Sequence, residues 1–254
     1  MKQEFTIGLA GIRIRVGCFY ERTSVRCRDY LTGGKEDLKI VISREDLERE
    51  RQKNSRECEP DKEKTVSGAQ LEMLALYRQI AEKMPWFDTW LMHGSAVCAE
   101  GEAVLFTAPS GVGKSTHTAL WLEQISGSFV VNGDKPLLSL HKEGCFVCGT
   151  PWAGKEGWNR NVLIPLKAIC LLGRGTENRI REISFQEAFP MLLQQSYRPE
   201  DTAALEKTLE LLHRLEGTVR FYSLMCNRDP EAARTAYGSI YHGEEKNERE
   251  DDIV

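Results

Sequence analysis

Hydrophobic and polar residues alternate in short runs over residues 12–16 and 39–42, with Gly33, Gly34 and other turn formers between them. A small β-rich lobe is predicted there. Residues 44–64 are mostly charged, with the two signs nearly balanced and Pro60 near the close, which predicts a solvated helix and a linker. Such mixed charge is what ordinary surfaces carry, so no partner is read from it. The expected division is residues 1–66 as lobe plus linker, 67–243 as the main domain and 244–254 as an acidic tail. Helical spacing follows at Met73, Leu76, Tyr77, Ile80 and Met84, and Pro85 stops it. Residues 90–99 and 102–108 read as two strands joined at Glu100 and Gly101 into an antiparallel hairpin.

A helix is predicted over residues 116–125, then strands at 129–131, 137–140, 145–148, 162–164, 168–172 and 179–183. No helix-length amphipathic segment separates these strands. A doubly wound sheet would alternate the two, so the order predicts an α/β fold built on a mixed sheet. Helices return at the end. Ser184 and Glu187 spell a capping box, with Pro190 expected to kink the helix. Asp201 starts another, with Leu205, Leu209 and Leu212 on one face and Gly217 beyond it. Asp229 and Pro230 mark a third start, as cap and first helical residue.

At 254 residues the chain is long enough for one large domain and a small one. Its formal net charge of −4 supplies no basic field, so neither nucleic acid nor anionic lipid is an expected partner. The longest apolar stretches, 103–108 and 168–172, fall far short of the roughly 18 residues that a membrane helix needs. Lys2 and Glu4 stand where an export leader would be apolar, so a cytoplasmic location is expected. The eight cysteines then read as reduced, small apolar residues. Cys145 and Cys148 form a C-x-x-C inside a strand, and one such pair does not complete a zinc site. Self-association into a homo-oligomer is left open.

The segment Ala108-Pro109-Ser110-Gly111-Val112-Gly113-Lys114-Ser115 fits the phosphate-binding pattern G-x-x-x-x-G-K-[ST], with Ala108 at the first glycine. Glycines at 111 and 113 permit backbone angles that turn successive N–H groups inward, and the helix beginning near Thr116 adds its positive end. Ser110, Gly111, Val112, Gly113, Lys114, Ser115 and Thr116 are the expected nucleotide-binding residues. Lys114 would meet the β and γ phosphates, and the Ser115 hydroxyl would meet Mg²⁺. If position 108 required a positive φ, alanine would strain the turn. Asp134 closes an apolar strand soon afterwards, as a metal ligand or a proton acceptor. His93 opens the strand beside the turn and is a second candidate for proton transfer. His117, within the helix, reads as structural. Residues 149–159 combine glycines with Trp152 and Trp158, Lys155 and Glu156; Lys155 would neutralise developing charge and Glu156 would assist metal or acceptor. Arg160, Arg174 and Arg179 are weaker candidates, with a surface role as their default reading.

His93-Gly94-Ser95-Ala96-Val97, the glycine turn and Asn132-Gly133-Asp134-Lys135-Pro136 together resemble the catalytic core of HPr kinase/phosphorylase-related proteins, over residues 93–172. The resemblance implies the nucleotide-binding fold shared with phosphoenolpyruvate carboxykinase. It also implies ATP and Mg²⁺ at Lys114 and Ser115, and an aspartate serving metal and acceptor at Asp134. Gly133 stands where the family often has a second acid, and the amino-terminal domain of the bifunctional enzymes has no counterpart here. The expectation is therefore a smaller relative, an ATP-dependent kinase acting on a hydroxyl of a peptide, protein or small molecule. An ATP-binding regulatory module with little or no transfer is the alternative. A carboxykinase-like reaction lacks its arginine cluster, and a GTPase lacks N-K-x-D.

Overall fold

A computed structural model of the chain describes residues 3–57 and 66–243. The end of the expected linker, residues 58–65, and the expected acidic tail, 244–254, lie outside the described residues. The fold is mixed α/β, with two sheets and seven α-helices among the described residues.

The small sheet opens with strands β1 (Gln3–Leu9) and β2 (Ile12–Cys18), an antiparallel hairpin turning at Ala10 and Gly11, both left-handed. After helix α1 (Glu21–Arg26), strand β3 (Leu38–Val41) joins β2 in parallel. Helices α2 (Arg44–Glu57) and α3 (Gly68–Lys83) follow. Period-two alternation gathers Ile7, Leu9, Ile12, Ile14 and Val16 on one face, where they pack with Leu76, Ile80 and Met84 and with Leu91, Leu137 and Cys148. Helix α3 thus sits in one apolar core with both sheets. Helix α2 is less solvated than its composition predicts: Glu50 is buried and pairs with Arg78 of α3 at 2.6 Å.

The large sheet contains β4 (Thr89–Leu91), β5 (Ser95–Ala99), β6 (Glu102–Thr107), β7 (Phe129–Asn132), β8 (Leu137–His141), β9 (Gly144–Cys148), β10 (Leu163–Arg174), β11 (Arg179–Ile183) and β12 (Arg220–Cys226). Its order is β4-β8-β9-β10-β6-β5-β7, with β12 paired to both β10 and β11. Strands β6, β10 and β12 run parallel, and the remaining pairings are antiparallel. Helix α4 (Lys114–Gln124) follows β6, and α5 (Phe185–Gln195), α6 (Thr202–His213) and α7 (Glu231–His242) complete the chain. Because β6, β10 and β12 are parallel, the segments after Thr107, Arg174 and Cys226 all emerge at one end of the sheet.

Several elements depart from the pattern-based reading. Residues 90–99 are two strands, because β4 pairs with β8 while β5 pairs with β6 and β7; Gly94 lies between them, where a Cβ would stand 2.7 Å from Leu105 Cδ1 and 2.9 Å from Phe106 O. The segments at 162–164 and 168–172 are one strand, β10, whose register shifts between Leu166 and Ala168. Strand β12 lies in a stretch for which no element was predicted. At α7 the cap position is Pro230, and the Asp229 carboxylate accepts from Asn227 Nδ2 at 2.7 Å rather than from the helix. The Glu100-Gly101 hairpin, both residues left-handed, and the capping box of Ser184 and Glu187 are as expected. Among the described residues no helix is long and apolar enough to cross a membrane.

Candidate functional site

Residues 108–113 form the turn between β6 and α4. Gly111 and Gly113 have φ of +81° and +130°, the region that only glycine enters freely. Ala108 is buried and keeps a negative φ, so the strain considered for that position does not arise. Val112 N–H donates to Pro109 O at 3.4 Å, and His117 N–H begins the helical ladder on Gly113 O at 2.9 Å. The N–H groups of Lys114, Ser115 and Thr116, at the start of α4, precede any intrahelical acceptor, which makes this end of the helix receptive to an anion. Ser110, Gly111 and Thr116 are exposed; Ser115 is half-buried. Lys114 is 8% exposed, and its ammonium folds onto Ala108 O at 2.8 Å and Pro109 O at 3.3 Å. Burial lowers its pKa, Lys135 adds to the effect and Asp134 opposes it.

Asp134 follows β7 in a turn built by Asn132. The buried Asn132 accepts from Asp134 N–H at 3.0 Å and Lys135 N–H at 2.7 Å, and donates to Thr150 O and Oγ1 at 3.0 and 3.1 Å. The Asp134 carboxylate lies 3.3 Å from Lys135 Nζ and 3.4 Å from His93 Nε2. His93 is held from the other side by Gln195, whose Oε1 is 2.7 Å from Nδ1 and whose carbonyl accepts His93 N–H at 2.8 Å. Burial, then the charges of Lys135 and Lys114, push the His93 pKa below the ordinary histidine value against Gln195 and Asp134. Backbone bonds tie this cluster to the turn: Gly94 N–H donates to Asp134 O at 3.0 Å, and Thr107 Oγ1 donates to His93 O at 2.8 Å.

The loop over residues 149–159 lies across Asp134. A Cβ at Gly154 would be 3.2 Å from Asp134 Cβ and 3.6 Å from Glu156 Oε2, so Glu156 stands beside the cluster. Lys155 is exposed and makes no ion pair among the described residues. Trp152 anchors the loop, donating from Nε1 to Met73 O at 3.2 Å and packing edge-on against Tyr77. A Cβ at Gly133 would stand 3.1 Å from Ala153 O, so the covering loop leaves little room for a second acid there.

A cleft of about 470 Å³ adjoins the turn on the side of β10 and β12, lined by Gly111, Val112, Thr116, Arg174, Asn227 and Arg228 among others. Its lining carries no acid. Sequence reasoning missed Gln195 altogether and ranked Arg174 only as a weaker candidate; Arg174 is exposed, and it donates to the turn from Nε to Val112 O at 3.2 Å and from Nη2 to Gly111 O at 2.5 Å. Arg160, stacked 4.4 Å from the Phe129 ring centroid, and Arg179, paired with Glu177 at 2.6 Å, lie outside this cluster. His117 is buried, as expected of a structural residue. Cys145 and Cys148 are buried thiols whose pKa values burial raises to about 12 and about 11.

No family model matches the chain, and no curated protein matches it. Among solved structures it is similar to the Hpr(Ser) kinase/phosphatase from Coxiella burnetii, at 16% identity and a TM-score of 0.27, over 50% of this chain and 90% of that one.

Proposed function

We propose that the chain is an ATP-dependent phosphotransferase that moves the γ-phosphoryl group to a hydroxyl of a peptide, protein or small molecule. The observation that carries this reading is the meeting of two parts: an anion-receptive helix start with Lys114 within it, and a carboxylate, Asp134, bonded into the same framework through Gly94, His93 and Thr107. In this reading residues 110–116 cradle the phosphates with backbone N–H groups, and Lys114 leaves the carbonyls of Ala108 and Pro109 for the β and γ phosphates. The acid-free cleft beside the turn takes the rest of the nucleotide.

Asp134 orients the acceptor hydroxyl and receives its proton, with His93 Nε2 within 3.4 Å to share it. Lys155 and Glu156 close over the acceptor from the loop, Lys155 toward the transferred group and Glu156 toward metal or acceptor. The donor set suits Mg²⁺: the Ser115 hydroxyl and the Asp134 carboxylate are hard oxygen ligands. Among the described residues no cluster of three or more His, Cys, Asp or Glu could hold a metal unaided. Phosphate oxygens and water would supply the remaining coordination. Bound there, Mg²⁺ would neutralise charge on the β and γ phosphates.

The test is calorimetric titration with MgATP, followed by γ-labelled ATP against a panel of hydroxyl-bearing peptides and metabolites. The wild-type chain is expected to bind MgATP and label an acceptor. Lys114→Ala should lose binding. Asp134→Asn should keep it and transfer label about a hundredfold more slowly or worse. Absence of any heat with MgATP overturns the reading; tight binding without label on any acceptor points to a regulatory module, a reading that Gly133 favours by leaving one carboxylate at the strand end.

A further inference from the structure

The glycine turn has two left-handed hinges, Gly111 and Gly113, on either side of Val112. Inside the turn a long bond, Val112 N–H to Pro109 O at 3.4 Å, holds peptide 111–112, and glycine moves between backbone regions at small cost. The Lys114 ammonium braces residues 108 and 109, not the hinges. What touches the hinges is Arg174, the last residue of β10. Strand β10 lies parallel to β6 with Leu171 level with Thr107, so its end stands beside the turn. Arg174 grips the carbonyls of Gly111 and Val112, two consecutive peptides, with two N–H groups of one planar guanidinium.

In a trans peptide the C=O and N–H point to opposite edges. Holding Val112 O toward Arg174 therefore turns Gly113 N–H away from it, and holding Gly111 O does the same for Val112 N–H. We propose that Arg174 is a positioning residue which locks peptides 111–112 and 112–113, so that Gly113 N–H is aimed before an anion arrives while Val112 N–H stays on Pro109 O. The role rests on the nucleotide reading only for what the amides bind; the lock itself is a property of the unliganded chain. Lysine is no substitute, since a single ammonium lacks the rigid fork that spans two carbonyls.

Backbone ¹⁵N relaxation on the full-length, nucleotide-free chain tests the lock directly. Order parameters at Gly111, Val112 and Gly113 are expected near 0.85 in the wild type and below about 0.6 in Arg174→Ala, with Arg174→Lys between. Arg228→Gln, which removes a positive charge from the same cleft without a bond to the turn, should leave them unchanged. Unchanged order at the three residues in Arg174→Ala overturns the proposal.

A second arm follows MgATP affinity at low and high salt. A positioning role predicts that Arg174→Ala weakens binding about tenfold with the salt dependence of the wild type, whereas loss of salt dependence marks direct contact with phosphate and also overturns it. A wild-type chain that fails to bind MgATP overturns the nucleotide reading alone, because the relaxation arm still decides the lock.

Discussion

At the scale of single residues, the sharpest titration belongs to His117. Its Nε2 accepts from Trp121 Nε1 at 3.0 Å, its ring packs edge-on against Phe106, and burial pushes its pKa down to about 4. The folded state therefore holds a neutral imidazole where the unfolded chain takes up a proton near the ordinary histidine value of 6.5. Stability linked to this group is fully present above about pH 6.5 and is lost as pH falls toward 4. Between pH 7 and pH 5 the loss amounts to about 2 kcal/mol. Urea denaturation at the two pH values should show it in the wild type, and His117→Gln should reduce it by about that amount; an equal loss in both proteins would place the titration elsewhere. Lys114 and Asp134 were legible in the sequence because their chemistry demands particular side chains at short spacing from glycines and a strand end. Gln195 and Arg174 were not, because they act on partners 102 and 62 residues away, and nothing local distinguishes them from other polar residues.

The elements that build the site depend on turns that a single side chain organises. The buried Asn132 holds its own turn with two half-buried hydrogen bonds and joins the end of β7 to the loop over residues 149–159 with two buried ones. Replacing it by alanine takes the acceptor from the Asp134 and Lys135 N–H groups, while the Thr150 carbonyl keeps Asn159 Nδ2 at 3.0 Å; the cost is about 1 to 3 kcal/mol. Urea denaturation of Asn132→Ala reads this directly, and a change below about 0.5 kcal/mol would mean that water replaces the side chain. The dipeptide Asn132-Gly133 advertised a turn, but not the Thr150 contact. Mixed-sheet architecture was legible because successive strand-like runs lacked helices between them. Strand β12 was not, since Arg220, Ser223 and Cys226 interrupt its apolar pattern and Leu205, Leu209 and Leu212 had set a helical reading just before it. Its place is fixed instead by long-range pairing, parallel to β10 from Ala168↔Arg220 to Arg174↔Cys226. The break near Gly94 likewise follows from long-range pairing, β4 on β8 and β5 on β6 and β7.

For the molecule as a whole, the small sheet bears on the site through the core it shares. Ala10 N–H donates to Cys148 Sγ at 3.2 Å, and Asn161 Nδ2 donates to Asp29 O at 3.1 Å, so the small sheet and the segment after it flank the loop that lies across Asp134. Deleting residues 1–42 would strip the cover from Leu76, Ile80, Met84 and Leu137, all buried in the intact chain. Each such side chain returned to water costs about 1.5 to 3 kcal/mol. Four of them roughly equal the whole stability of an ordinary domain, about 5 to 15 kcal/mol. The truncated chain is therefore expected to aggregate or to unfold without a cooperative transition, although residues 67–243 carry every proposed nucleotide contact. The intact chain supplies the reference: MgATP at a hundredfold excess over its Kd should add about 2.7 kcal/mol and raise Tm by about 5 to 11 °C, a shift that Lys114→Ala abolishes. If the truncated chain were instead monomeric, melted cooperatively and kept the MgATP shift, the boundary near residue 66 would divide two independent units, and the small sheet would owe its place to something other than the common core.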